Sequence, residues 1–204
     1  MNQFQLLQLL EFIAVVAFAL AGFIEADRKK VDPVGAFILA FMTAFGGGTL
    51  RDLMLDRRPF YWVQHEAYVW VVLGMTITLP LVIKLMHRHM PNWLFILADA
   101  IGLGLFSVAG TAMAVEAGLP PLSATMVGVV TGVFGGLIRD VFLNEVPMVL
   151  KDGKPYASAA FAGCWIYLGL VWMNVASFDA LWIASVATVA LRMLAWWRDW
   201  RIAY

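Results

Sequence analysis

The sequence predicts an all-α membrane protein with seven transmembrane helices, arranged as two inverted three-helix repeats plus a seventh helix. Of its 204 residues, 62% are hydrophobic and 14% are charged, whereas soluble domains usually contain about 25% charged residues. Seven apolar segments approach the length of roughly 20 residues that a helix needs to cross a bilayer. A motif in the second segment, GGGTLRD, recurs in the fifth as GGLIRD, 88 residues later.

Each predicted span is a continuous apolar run. The runs cover residues 4–26, 34–56, 66–86, 93–115, 121–143, 156–174 and 178–197. Segments that cross a bilayer must pair their backbone polar groups internally, as helices or closed barrels do. The runs lack the alternation of barrel strands, which favours helices. The first run follows no positively charged region, so it is predicted to be a retained span rather than a signal peptide.

The positive charges predict the orientation of the chain. Two of the 14 basic residues, Arg57 and Arg58, fall on one side of the predicted membrane, and Arg51 and Arg139 lie within the motifs. The other ten fall on the opposite side: Arg28, Lys29, Lys30, Lys84, Arg88, Lys151, Lys154, Arg192, Arg198 and Arg201. Because positive charge favours the cytoplasm, the N-terminus is predicted to lie outside and the C-terminus to be cytoplasmic.

An offset of 88 residues relates the two halves of the chain. The matched pairs are Glu11 and Asp99, Phe18 and Phe106, Gly22 and Gly110, Pro33 and Pro121, Gly47 and Gly135, Gly48 and Gly136, Arg51 and Arg139, Asp52 and Asp140, Pro59 and Pro147, and Tyr68 and Tyr156. Each copy contains three spans, so the second copy would enter the membrane from the opposite side, as in the inverted repeats of transporters. We expect a single transmembrane domain over residues 1–204, with repeats at about 5–88 and 93–176 and an extra helix at about 178–197.

The glycine motifs favour an interruption in each middle helix. A glycine inside a helix costs about 0.8–1 kcal/mol relative to alanine, so Gly46, Gly47 and Gly48 are predicted to weaken or break the second helix, and Gly135 and Gly136 the fifth. Exposed carbonyl groups at such a break would face cations. The alternative is packing alone, because small residues recur at every fourth position and would let helices approach closely. These positions are Ala36, Ala40, Ala44 and Gly48, and Ala124, Gly128, Gly132 and Gly136.

The Arg-Asp pairs predict a polar path or a structural ion pair. Charges in spans are costly and usually face a cavity or a partner. Adjacent helical residues do not face each other, so Arg51 and Asp52 are expected to find partners elsewhere, among Glu11, Asp99 and the second motif, near the membrane midplane. Hydroxyl groups are expected to extend such a path, from Thr43, Thr49, Ser107, Thr111 and Thr131. The alternative is that the arginines reach to headgroups and the aspartates serve structural roles.

Other classes of function find little support. The formal net charge of zero gives no reason to expect binding to nucleic acid. The single cysteine, Cys164, cannot form an intrachain disulfide and is expected to be an apolar filler. Neither H-E-x-x-H nor G-x-S-x-G occurs, so no catalytic residue, metal or cofactor is predicted, and the protein is not expected to be an enzyme.

The doubled G-G-x-x-R-D motif, each copy followed by a proline, resembles that of the prokaryotic trimeric intracellular cation (TRIC) channels. This family overlaps with small bacterial membrane proteins labelled as glycine transporters. The resemblance implies a multi-pass protein of the bacterial inner or plasma membrane, a homotrimer surrounded by lipids, and a pore inside each protomer that passes potassium and sodium. It implies that the first, second, fourth and fifth spans form the pore, with kinks at the glycines. By motif, the site residues would be Gly46, Gly47, Gly48, Arg51, Asp52, Gly135, Gly136, Arg139 and Asp140.

Three functions therefore stand as hypotheses. A passive cation channel would use the paired middle helices and the acidic groups. A secondary transporter of a small solute such as glycine is equally compatible with inverted repeats, and Arg51 or Arg139 would then bind a carboxylate. A scaffold or lipid-binding protein would need the motifs for folding alone.

Overall fold

The structure of the protein is a computed structural model that describes residues 3–86, 90–151, 153 and 155–201. Over these residues the chain forms eight α-helices and no strand. They are α1 (Gln3–Arg28), α2 (Pro33–Met54), α3 (Tyr61–Gln64), α4 (Glu66–Met86), α5 (Asn92–Glu116), α6 (Pro121–Phe142), α7 (Ala157–Trp172) and α8 (Ser177–Trp197), with a 3-10 turn at Met148–Leu150. The side chain of Lys84 and the residues Arg88 and Lys154, used in predicting orientation, lie outside the described part.

A helix lies at each predicted segment, with ends within two residues of those expected. Within the described residues, α1, α2, α5, α6 and α8 are long and apolar enough to cross a membrane. Helices α4 and α7 are apolar over shorter stretches, Glu66–Leu81 and Ala157–Trp172, so their assignment as spans stays a prediction. The short helix α3 and the 3-10 turn were not expected from the sequence.

Helices α2 and α6 begin in the same way and run for the same length. Each has proline at its first position, where the missing N–H removes no helical hydrogen bond. The Asp32 carboxylate caps α2 by accepting from the Gly35 N–H at 2.7 Å. Arg51 and Arg139 follow these prolines by the same 18 residues, which spans about 27 Å of helix. Each Arg-Asp pair therefore lies in the last turn of its helix.

Four helices, α1, α2, α5 and α6, form the centre of the molecule. Helix α1 packs on α2 and α5, and α6 packs on α2 and α5. Helix α4 covers α1 and α2, whereas α7 covers α5 and α6. Helix α8 packs against α5 and α7 and so makes one flank of the bundle different from the other. The centre of this arrangement holds the residues of both motifs.

Candidate functional site

The first buried ion cluster joins α1 to the end of α2 and consists of Glu11, Arg51 and Asp52; we call it the first triad. Arg51 is fully buried and donates from Nη1 to Glu11 Oε1 at 2.5 Å. It also donates from Nε and Nη2 to Asp52 Oδ1, at 2.9 and 2.8 Å. The other oxygen of Asp52, Oδ2, accepts from the Tyr61 N–H at 2.8 Å. The triad therefore fixes α1, α2 and the chain that follows α2 to one another.

The second triad, Asp99, Arg139 and Asp140, repeats this arrangement at the end of α6. The fully buried Arg139 donates from Nη1 to Asp99 Oδ1 at 2.7 Å and from Nε to Asp140 Oδ1 at 2.8 Å. Asp140 Oδ2 accepts from the Met148 N–H at 2.8 Å. Each residue of the second triad lies 88 positions after its counterpart in the first.

These contacts correct two of the expectations for the Arg-Asp pairs. Each arginine bonds to the aspartate next to it, because a guanidinium on a long, flexible side chain can turn back over the last turn of its helix. Glu11 and Asp99 are partners as expected, but neither arginine pairs with the motif of the other half. Each pair lies in the last turn of its own helix, α2 or α6.

The first cavity opens beside the first triad. It has a volume of about 290 Å³ and lies between the start of α1, the end of α5 and the segment after α2. Glu11 and Asp52 line it, together with Glu116, Arg57 and His65. Two carboxylates of a buried ion cluster thus border a space large enough for ions and water.

The second cavity lies at the other end of the same helices. Its volume is about 420 Å³, and it is bordered by the end of α1, the start of α5 and the segment after α6. Asp140 of the second triad lines it. Its other charged lining residues are Glu25, Arg28, Lys29, Glu145, Lys151 and Arg192. Glu11 and Glu25 are 14 residues apart on α1, so the two cavities are separated by about 21 Å of helix.

Between the cavities α2 and α6 are in close contact. A Cβ atom placed on Gly47 would lie 2.0 Å from the Thr131 carbonyl oxygen, and one on Gly135 would lie 2.2 Å from that of Thr43. Nearby, the rings of Phe18 and Phe106 stack with centroids 5.7 Å apart. In this conformation the seam between the two cavities is closed.

Both glycine motifs lie in uninterrupted helix, which differs from the predicted break. Gly48 accommodates the ring of Tyr61, which a Cβ on this glycine would approach to 2.2 Å. A Cβ on Gly136 would lie 2.9 Å from the Tyr156 hydroxyl oxygen. A Cβ on Gly46 would meet the side chain of Ile138 at 2.7 Å. The cost of glycine in a helix is offset here by the close packing that it permits. The small-residue spacing identified in the sequence therefore describes this conformation better than a break does.

None of the predicted hydroxyl groups borders either cavity; Thr43, Ser107, Thr111 and Thr131 are buried, and Thr49 is half-buried. Thr43, Thr49, Thr111 and Thr131 each donate to the carbonyl oxygen four residues earlier in their own helix. Thr49 also accepts from the Trp62 indole N–H at 3.1 Å. The Ser107 hydroxyl makes no hydrogen bond among the described residues. The carbonyl oxygens of Thr43 and Thr131 lie at the seam, whereas the Thr43 hydroxyl faces Gly22 of α1 and the Thr131 hydroxyl faces Gly110 of α5.

Several residues of the site were not identified from the sequence. Tyr61 holds Asp52 through its backbone N–H, and its ring lies 5.1 Å from the Arg51 guanidinium. Met148 holds Asp140 in the same way. The prolines seven residues after each aspartate, Pro59 and Pro147, were a signal that the chain turns back there. Arg192 was counted among the flanking charges, but it is buried within α8.

An ion pair closes part of the mouth of the second cavity. Lys29 Nζ donates to Glu145 Oε1, which links the turn after α1 to the segment after α6. The hydrogen bond and the charge of Glu145 raise the pKa of Lys29 above its ordinary value of 10.5. The same contact lowers the pKa of Glu145 below its ordinary value of 4.5. Both groups are charged at neutral pH, so the link is present there.

Comparison with protein families gives two matches to one model. A family model described as glycine transporter matches residues 8–83 and again residues 96–172, so the matches begin 88 residues apart. The chain is also 35% identical over 187 residues to the UPF0126 inner membrane protein YadS of Escherichia coli (strain K12), covering 91% of this chain and 89% of that protein.

Two solved structures are similar to this chain in both fold and sequence. One is a TRIC trimeric intracellular cation channel orthologue from Rhodobacter sphaeroides, with a TM-score of 0.83 and 33% identity, over 94% of this chain and 98% of that one. Another is a prokaryotic TRIC channel in 0.5 M KCl, with a TM-score of 0.87 and 27% identity, over 98% of this chain and 100% of that one. The protein therefore belongs to the family of prokaryotic TRIC channels and UPF0126 membrane proteins that the glycine transporter model describes.

Proposed function

We propose that the protein is a passive channel for monovalent cations, potassium and sodium, with a pore inside each protomer. The observation that carries the proposal is a pair of cavities at opposite ends of α1 and α5, the first bordered by Glu11 and Asp52 of the first triad and the second by Asp140 of the second triad. In the seam between them α2 and α6 meet at Gly47 and Gly135, beside the stacked rings of Phe18 and Phe106. The described conformation is then a closed channel, which opens when α2 and α6 part at the glycines of the two motifs.

The proposed architecture is two three-helix repeats of opposite orientation plus α8, in one transmembrane domain with seven spans. It is supported by contacts that recur at the 88-residue offset. Gly47 meets Thr131 as Gly135 meets Thr43, and the two triads have matching partners. Because each copy would contain three spans, the two would be related by an axis in the membrane plane.

A glycine transporter is less well supported by the same geometry. Such a protein needs a guanidinium free to bind the carboxylate of its substrate. Arg51 and Arg139 were the candidates, but both are fully buried and each is already held by two carboxylates. A substrate carboxylate would have to displace one of these partners. The channel therefore agrees better with the occupied arginines.

We further propose a homotrimer in the bacterial inner membrane, with the N-terminus outside and the C-terminus in the cytoplasm. The R. sphaeroides relative is described as trimeric and the E. coli relative as an inner membrane protein. The orientation follows from the distribution of positive charge. With this orientation the first cavity faces outward and the second faces the cytoplasm.

Recording of single channels in planar bilayers tests the function. We expect ohmic currents in a potassium chloride gradient, with a reversal potential that approaches the equilibrium potential of potassium. Saturable glycine uptake into liposomes without such currents would favour the transporter. If correctly folded protein gives neither current nor glycine uptake, the scaffold or lipid-binding hypothesis is favoured.

A matched pair of variants tests the route through the first cavity. Glu116→Gln removes an exposed carboxylate that borders this cavity and should lower the conductance at low salt, because fewer cations are concentrated there. Glu66→Gln is the control, since Glu66 lies outside both cavities and bonds to the exposed Trp70. Equal conductance in the two variants would contradict a route through this cavity.

A further inference from the structure

The two cavities carry different charges although the halves of the chain match. Among the described residues, three carboxylates and one arginine line the first cavity, Glu11, Asp52, Glu116 and Arg57, a formal charge of −2. Three carboxylates and four bases from the same part of the chain line the second, a formal charge of +1. Fields from such lining charges change the local concentration of ions by large factors.

Part of the difference arises where the repeats carry opposite charges. Arg28 at the second cavity matches Glu116 at the first, because the two positions are 88 apart. Glu145 at the second cavity matches Arg57 at the first in the same way. These two exchanges cancel each other within each cavity. One unit of the net difference comes from Glu11, whose counterpart Asp99 does not border the second cavity. The rest comes from residues at the second cavity that have no charged counterpart, among which Arg192 is the most deeply buried.

Arg192 belongs to α8, which lies outside the matched halves. It is 2% exposed, and its guanidinium carbon lies 5.1 Å from the centre of the Tyr156 ring. Its Nε and Nη1 atoms are buried and make no hydrogen bond, and no ion pair involves it within the described residues. The residue nevertheless borders the second cavity. Among the described residues this charge has no ion-pair partner, in contrast to Arg51 and Arg139.

We propose that Arg192 is a fixed cationic barrier that makes conduction asymmetric, an inference that rests on the proposed channel function. Cations are concentrated at the first cavity and repelled at the second. Current carried from the first cavity to the second is then larger than current in the reverse direction at the same voltage. The aromatic ring of Tyr156 holds the guanidinium in place without removing its charge.

Single-channel currents at equal and opposite voltages in symmetric potassium chloride test this proposal. The ratio of the larger to the smaller current does not depend on the orientation in which a channel inserts into the bilayer. At about 0.1 M salt the screening length is about 10 Å, and at about 1 M it is about 3 Å. We expect a ratio of about two or more at the lower concentration, falling toward one at the higher. Equal currents in both directions at low salt would overturn the proposal.

Three substitutions separate the charge from the packing. Arg192→Gln should reduce the ratio at low salt by about half, chiefly by raising the smaller current, as the repulsion at the second cavity is removed. Arg192→Lys keeps the charge and should keep the ratio. Arg198→Gln is the control, because Arg198 is exposed and borders neither cavity. If the current ratio at low salt is unchanged in Arg192→Gln, or falls to one in Arg192→Lys, the charge has no role in the asymmetry.

The outcomes distinguish this inference from the function on which it rests. Absence of current from the unchanged protein would contradict the channel itself. Current that is symmetric at low salt would contradict the barrier alone and leave the channel intact. The salt series needs no variant, so the proposal can be contradicted even if Arg192→Gln does not fold.

Discussion

Arg51 and Arg139 show how a charge can be buried inside a membrane protein. Each guanidinium is fully buried, donates to two carboxylates, and lies near an aromatic ring, Tyr61 or Phe95. Removing one partner of a buried ion pair is strongly destabilising, because it leaves a charge without compensation. The aspartates also accept backbone N–H groups from the segments that follow them. At the level of single residues, each Arg-Asp pair thus stabilises the packing of its helix and of the segment that follows, and its aspartate also borders a cavity.

Asp52→Asn should therefore destabilise the protein markedly. The amide cannot neutralise Arg51, although Glu11 remains, so we expect a loss at the low end of the range for buried pairs, about 3 kcal/mol. Unfolding of the detergent-solubilised protein by heat or denaturant measures this loss. Asp56→Asn, at an exposed position in the same segment, should cause little change. Similar unfolding stability of the two variants would contradict a stabilising role for the first triad.

Helices α2 and α6 depend on the absence of side chains where they touch. The Gly47 and Gly135 contacts bring each helix against a backbone carbonyl of the other, and a carbonyl cannot move aside as a side chain can. Close contacts of this kind allow dispersion and weak C–H···O interactions along the whole seam. At the level of elements, the glycines therefore determine the distance between the two helices.

Gly47→Ala should destabilise the pair of helices even though alanine favours helix. The added Cβ would lie 2.0 Å from the Thr131 carbonyl oxygen, so the helices must separate, at a cost of about 1–3 kcal/mol. Gly74→Ala is the matched control, because its Cβ would meet nothing within 4 Å; it should stabilise by up to about 1 kcal/mol. Thermal unfolding of both variants measures the difference, and equal effects would contradict a close seam.

The link between Lys29 and Glu145 joins two segments that precede and follow the central helices. Because Glu145 has a lowered pKa, its contribution is present at neutral pH and is lost as the pH falls through that pKa, below 4.5. Because Lys29 has a raised pKa, its contribution is lost as the pH rises through it, above 10.5.

We therefore expect the difference in melting temperature between the unchanged protein and Lys29→Met to be constant near neutral pH and to vanish below pH 4.5. The difference should be small, since the pair is exposed and screened by salt. Lys30→Met is the control, as Lys30 forms no ion pair among the described residues. A difference that persists unchanged in acid would contradict the link.

For the whole molecule, the direction of each helix gives a test of topology. With the N-terminus outside, the connections between α5 and α6 and between α7 and α8 should face outward, and the one between α6 and α7 should face the cytoplasm. Ala117→Cys and Ala176→Cys should then react with a membrane-impermeant maleimide on intact cells, whereas Lys151→Cys should react only after permeabilisation. All three positions are exposed, and the native Cys164 is buried. The opposite pattern would reverse the proposed orientation.

The positions of the helices could be predicted because apolar length is a property of the local sequence. The partners of Arg51 could be predicted in part, since Glu11 was among the candidates. The hydrogen bond from Arg51 to Asp52 could not be predicted. The rule for adjacent helical residues describes the directions in which side chains leave the helix, and the end of a long side chain can still reach its neighbour. The uninterrupted helix at Gly47 depends on a neighbour 84 residues away, Thr131. The burial of Arg192 could not be predicted, since a basic residue near a helix end has no signal in the sequence that distinguishes a buried position from a flanking one.

The stack of Phe18 on Phe106 carries a consequence for the history of the gene. These residues occupy matching positions at the 88-residue offset, so each ring packs against its counterpart in the other half. A change of size in one ring alters the space available to the other, and the two codons are therefore not free to diverge independently.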